Sequence, residues 1–235
     1  MSTSIEKTIQ RIKRFSLNCT LNDNGHVRHF HYGHEYVEIG GIKWATYNVG
    51  AEKPTDSGLY FAWGETKGFT ASQIGTGEGK VDMSAFQTSN HTYKYWSGRT
   101  ITKYNGTDGL IELELEDDAA TVNMGVGWRI PTRNEFKALF ASSTSEWVTN
   151  YKGSGVNGRL FTDKTDSCKR LFFPAASFCA DGSVGDRGFG FYWSSSLYSS
   201  SVDLAWLLYF NGGDAYWDNC CSRYYGFAIR GIVAE

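Results

Sequence analysis

The stretch AYWDNCCSRYYGFAIRG, residues 215–231, decides how this chain is read. Its end, continuing into GFAIRGI, is apolar and orderly and predicts a buried strand. Its first half has no evident helical or strand period and holds two adjacent cysteines outside any Cys-x-x-Cys spacing. The residues before it supply part of the missing order. In LAWLLYF, residues 204–210, Trp206, Leu208 and Phe210 share one face of a strand, and Leu207 and Tyr209 share the other. In GDAYWDN, residues 213–219, Asp214, Tyr216 and Asp218 alternate with Ala215 and Trp217. The alternation predicts two faces, with Leu207 and Tyr209, and likewise Asp214, Tyr216 and Asp218, set apart from the positions that hold the tryptophans.

Composition bounds the answer. With 41% hydrophobic and 16% aromatic residues, a chain of 235 residues has ample material for a packed core. The 27 glycines against 3 prolines point to many turns and short strands. A formal net charge of -2 argues against a nucleic-acid partner, which needs a basic face. No apolar run reaches the ~18 residues of a membrane span, so no membrane insertion is expected. The opening MSTSIEKTIQRIKRF lacks an apolar signal core, and synthesis in the cytoplasm without a signal peptide is the expectation. Cys19, Cys168, Cys179, Cys220 and Cys221 match neither a disulfide framework nor a zinc site and read as free thiols. No metal and no cofactor are expected.

Along the chain, residues 1–34 form an N-terminal segment. Ile5, Ile9 and Ile12 recur at helical spacing behind Ser4, and so short a helix is expected to dock or self-associate. His26, His29, His31 and His34 follow, as a polar lead-in or, less simply, a metal site. EYVEIGGIKWATYNVG predicts a β-hairpin turning at Gly40-Gly41. SGLYFAWGE predicts another short strand, and residues 67–105 predict long loops. Acidic residues before Ala119 mark the first turn of a short helix. In GWRIPTRNEFKALFA, Thr132 and Glu135 form a capping box, Phe136, Leu139 and Phe140 make an apolar stripe, and a helix is predicted over 133–142. Short strands then follow from Leu171, giving an α+β class.

At GWRIPT…EF, LFFPAAS, YWSSS, AWLLYFNGG and RYYGFAIRGI, over about residues 35–235, the chain resembles a known group. It is similar to variable proteins of diversity-generating retroelements, which adopt a C-type-lectin-like fold related to the formylglycine-generating-enzyme and Fibrobacter-type paralogous domains of gut bacteria and their phages. The resemblance implies a domain over 35–235 with a variable region at about 192–225. In such systems adenines of a template are miscopied, so an Asn codon, AAC or AAT, becomes almost any residue except Lys, Glu, Gln, Met or Trp. Residues 192–225 contain no Lys, Glu, Gln or Met, although the last lysine, Lys169, already lies well before them.

The resemblance implies a ligand-binding set of Tyr198, Ser201, Asp203, Leu204, Leu207, Tyr209, Asp214, Tyr216, Asp218, Cys220, Cys221, Ser222, Tyr224 and Tyr225, with no catalytic residue. Tyrosine gives large rigid contact area, and Ser and Asp adapt their hydrogen bonds; Tyr209, Tyr216, Tyr224 and Tyr225 are the expected anchors. The two cysteines then read as products of sampling. The implied partner is a protein or glycan ligand on a cell surface, the setting a phage tail or other receptor-binding protein, and the assembly a homo-oligomer, a trimer by analogy. Two alternatives stay open. One is a formylglycine-generating-type oxidoreductase using Cys168 and Cys179, which lack a histidine base in their neighbourhood. The other is a calcium-independent carbohydrate-binding lectin, since no calcium-ligand tripeptide accompanies YWDN.

Overall fold

Strand β16 (Ile232–Val233) sits between β4 (Ile42–Ala45) and β7 (Trp128–Arg129), so the C-terminal residues complete a sheet begun near the other end. The computed structural model describes residues 19–21 (backbone only), 27–81, 93–98, 100–180, 182–185 and 188–234. The helix predicted around Ile5–Ile12 and the residue His26 lie outside the described residues. The six-stranded sheet runs β1 (Cys19–Leu21), β2 (Val27–His31), β3 (His34–Ile39), β4, β16, β7. Between β3 and β4, Gly40 and Gly41 have φ of 61° and 81°, the doubly left-handed turn that suits a two-residue hairpin and that glycine adopts without strain.

A second sheet orders β10 (Arg170–Pro174), β9 (Gly158–Asp163) and β8 (Ser143–Val148). A third orders β13 (Gly190–Leu197), β14 (Leu204–Phe210) and β15 (Ala215–Ser222). Two short ladders, β5 (Trp96–Ser97) with β6 (Thr100–Ile101) and β11 (Cys179–Ala180) with β12 (Ser183–Val184), lie in the connecting loops. With antiparallel pairing between these strands and two short α-helices, the fold is α+β.

Helix α1 (Ala119–Met124) starts at Asp118, whose carboxylate accepts from Thr121 N at 2.9 Å. Helix α2 (Arg133–Ser142) carries the predicted capping box. Thr132 caps Glu135 N, and the Glu135 carboxylate returns to Thr132 N at 2.8 Å. Its apolar face buries Phe136 and Leu139 in a core with Trp44, Phe161, Phe173, Leu208 and Phe210. A second core gathers Trp63, Tyr104, Trp128, Trp193, Leu207 and Phe227.

Two sequence expectations are corrected. SGLYFAWGE forms only isolated bridges, Tyr60 to Phe69 and Phe61 to Phe227, and no ladder. In residues 215–231 the roles are reversed. The disorderly half is the eight-residue strand β15, whereas the orderly GFAIRGI is a buried extended segment that bridges in turn to Cys179, Phe61 and Tyr192 before β16. It is apolar because it is buried on all sides.

Candidate functional site

The β13–β14–β15 sheet separates the two cores. Directly opposed residues of an antiparallel pair share a face. Trp193, Leu207 and Asn219 therefore lie on one face, as do Phe191, Tyr209 and Tyr216. Tyr192 and Leu208 lie on the other, followed by Gly190, Phe210 and Ala215. Leu207 belongs to the first core and Leu208 and Phe210 to the second, so the central strand β14 is covered on both sides. A register shift between Leu207 and Tyr209 places Trp217 and Asp218 opposite Leu208, and this bulge disguises the alternation of β15 in the sequence.

This geometry splits the predicted set. Leu207 is 1% exposed and Tyr224 is 8% exposed; both were expected on the open face and are core residues instead. Alternation shows which residues share a face but not whether that face is covered, which is why Leu207 was misplaced. Asp214, Tyr216 and Asp218 are exposed, and Tyr198, Ser201, Asp203, Leu204, Tyr209, Cys220, Cys221, Ser222 and Tyr225 are half-buried. Trp206, expected in the core, is also only half-buried.

The open residues of the first face form a chain of ring contacts. Tyr216, 47% exposed, lies parallel to Tyr209 within 13° at 6.1 Å. Tyr209 continues to Phe189 at 6.3 Å and to Phe191 at 5.0 Å. Phe191 meets Phe178 at 5.2 Å, and Phe178 meets Tyr225 at 6.5 Å. Asn211 donates to the Tyr209 hydroxyl at 3.0 Å, and Asp214 before β15 and Asp218 and Asn219 within it supply exposed polar groups. Phe178, Phe189 and Phe191 were missed in the sequence, although Phe189 and Phe191 flank Gly190 at strand spacing. An aromatic strip edged by carboxylates and amides suits contact with a ligand surface.

At the other end of the sheet, the loop between β13 and β14 holds Tyr198, Ser201 and Asp203. The Ser201 hydroxyl donates to Asp203 at 2.5 Å, and Tyr198 packs edge-on to Trp206 at 4.7 Å. The Arg133 guanidinium lies between Trp206 at 3.7 Å and Trp217 at 4.9 Å, and Lys137 lies over Trp217 at 5.3 Å. These cation–π contacts fasten α2 to the second face and cover tryptophans that the sheet itself leaves only half-buried.

The scaffold beneath is polar as well as apolar. Arg223 is buried and donates to Tyr93 Oη and to the carbonyls of Tyr104, Val202 and Lys103. Arg230 donates to Asn48 Oδ1 and to the carbonyls of Ala45 and Phe172, and burial pulls its pKa down to about 10. The motifs also brace each other: Ser195 N donates to Pro131 O, Arg133 N to Ser196 Oγ, and Trp193 Nε1 to Phe61 O.

Redox and metal chemistry find little footing among the described residues. Cys220 lies opposite Trp206 and Cys221 opposite Ala205, so the two thiols point to opposite faces. Burial raises both, Cys221 to about 11, which disfavours the reactive thiolate. Cys168 is exposed, and burial pushes Cys179 up to about 12. Glu114, Glu116 and Asp117 converge, but Lys103 Nζ already sits among them at 2.6, 3.2 and 2.6 Å. His29 stacks on Tyr36, His31 Nε2 lies 3.1 Å from Val126 O, and the rings of His31 and His34 both pack edge-on to Trp128. A cleft of about 390 Å³ lies by Gly40, Gly41, Arg129 and Glu135, whose carboxylate is held low by Arg129 and the Thr132 cap against its burial. Comparison with known protein-family models, curated proteins and solved structures finds no match for this chain.

Proposed function

We propose that this chain is a non-enzymatic binding protein of C-type-lectin-like fold. Its C-terminal sheet presents a surface sampled by retroelement-directed adenine mutagenesis to a protein or glycan on a cell surface, as a phage, prophage or bacterial receptor-binding protein does. One observation carries the reading: the residues reachable from an Asn codon that remain accessible, Tyr198, Ser201, Asp203, Leu204, Tyr209, Asp214, Tyr216, Asp218, Cys220, Cys221, Ser222 and Tyr225, surround a strand covered on both faces. Trp193, Leu208, Phe210, Arg223 and Phe227 are buried and lie outside that set. A scaffold of that kind separates folding from recognition.

The reading is tested without knowing the ligand. A displayed library randomised with NNC and NNT codons at the twelve accessible positions should fold at near parental display levels and yield binders to an unrelated protein such as lysozyme. A library of the same size at Leu207, Leu208, Phe210 and Tyr224 should lose display. Collapse of the first library, or survival without binders, overturns the proposal.

A further inference from the structure

Large apolar residues are exposed in and around helix α1. Ile111, Leu115, Val122 and Val126 are 62, 68, 54 and 71% exposed, and Tyr32 is 62% exposed. Tyr32 belongs to the same neighbourhood. A side chain added at Gly125 would lie 3.5 Å from its ring, and the adjoining His31 Nε2 is 3.1 Å from Val126 O. Exposed acids Glu112, Glu114 and Glu116 interleave with these apolar residues, and buried Asp117 and Asp118 follow. Five carboxylates thus stand in one stretch, with Lys94 and Lys103 the cations paired to it among the described residues.

The chain itself carries a complementary segment. Ile5, Ile9 and Ile12 recur at helical spacing in the sequence, and Lys7, Arg11, Lys13 and Arg14 stand against a single acid, Glu6. The strand register gives its direction. Cys19 pairs with His29 and Leu21 with Val27, so the Cys19 end of β1 points toward the His31–Tyr32 end of the hairpin, beside Gly125–Gly127. Six residues can span up to about 20 Å when extended, the length available over 13–18, and eight residues such as 5–12 would measure about 12 Å as a helix. The reach is sufficient.

We infer that residues 1–18 of the same chain dock on this face. Ile5, Ile9 and Ile12 cover Tyr32, Val122 and Val126, and the basic side chains lie toward the acidic stretch. The contact supplies the tertiary packing that so short an amphipathic helix lacks alone. This is independent of what the C-terminal sheet binds.

A photo-crosslinking residue at position 9 of the full chain tests it, with a 1:1 mixture of light and heavy isotope-labelled protein. The expected products join position 9 to residues 111–126 within one isotopic species. Mixed-isotope products would place a second copy's segment on the face and overturn the assignment, as would crosslinks elsewhere or none. In parallel, Ile9→Asp should raise hydrogen exchange over 119–126 at least about fivefold while leaving β13–β15 unchanged. Unchanged exchange over 119–126 contradicts the docking, and unchanged β13–β15 shows that the variant is folded.

Discussion

Replacing Leu207 with alanine separates the two ways of reading the C-terminal strands. If the alternation of LAWLLYF marked an open face, the change would be close to neutral, as most surface substitutions are, within about 0.5 kcal/mol. In the structure Leu207 is 1% exposed, paired across the sheet with Trp193 and Asn219, in the core that contains Trp63 and Phe227. Leu→Ala in a core costs about 2–5 kcal/mol, the spread reflecting how far the site can collapse. Here collapse is restricted, because the neighbouring Leu208 and Phe210 fix the other face of the same strand in the second core. A loss of about 3 kcal/mol is therefore expected. At about 2–4 °C per kcal/mol for a chain of this size, the Tm falls by about 6–12 °C. Urea unfolding followed by tryptophan fluorescence gives the free energy, with Tyr216→Ala as the companion variant. Tyr216 is 47% exposed and should change stability by less than about 1 kcal/mol. A Leu207→Ala loss below about 1 kcal/mol, or a Tyr216→Ala loss equal to it, would refute the assignment of faces.

Other consequences are as direct. Arg230→Met removes three hydrogen bonds inside a fully buried site, leaving acceptors on Asn48, Ala45 and Phe172, and should cost about 3 kcal/mol in the same unfolding assay. Asp117 is pushed up by burial, but Lys103, Lys94 and Tyr104 outweigh this and hold it below the usual carboxylate range. A depressed carboxylate stabilises the fold above its unfolded value of about 3.9, and that stabilisation is lost as pH falls through it toward the folded value. Asp117→Asn should thus cost about 2 kcal/mol at pH 7, below the figure for a fully buried pair because both lysines are partly exposed, and about half as much at pH 2.5, between the unfolded and folded values. Mass-mapped iodoacetamide labelling at pH 8 should modify exposed Cys168 at least about tenfold faster than Cys221, and a disulfide joining Cys220 to Cys221 in the folded protein would contradict the strand register.

Local chemistry was legible and long-range burial was not. The Thr132–Glu135 capping box and the Gly40-Gly41 turn depend on residues two or three apart, and both stand as their spacing implies. Leu207 and Tyr224 were misplaced because they join a core assembled from residues distant in sequence, among them Tyr93, Tyr104 and Trp193. The bulge at Trp217 and Asp218 broke the period of β15, so an eight-residue strand looked irregular. Trp206 and Trp217 gave no hint of Arg133, which lies more than seventy residues earlier and holds both. The aromatic strip was half visible: Tyr209 and Tyr216 came from alternation, whereas Phe178 joined it only through the fold.

The claim that the accessible set is a sampled surface meets its most direct test in the gene and its surroundings. Tyr, Asp and Cys codons all end in C or T by the genetic code, so Leu204, Ser201 and Ser222 are the informative positions within the chain. Sequencing the locus should find those three codons ending in C or T, beside a reverse-transcriptase gene and a near-identical repeat carrying adenines at the accessible positions. It should also find no adenine substitutions at Trp193, Leu208 or Phe210. A TTA, TTG or CTG codon at Leu204, or a locus without such a repeat, would contradict the account.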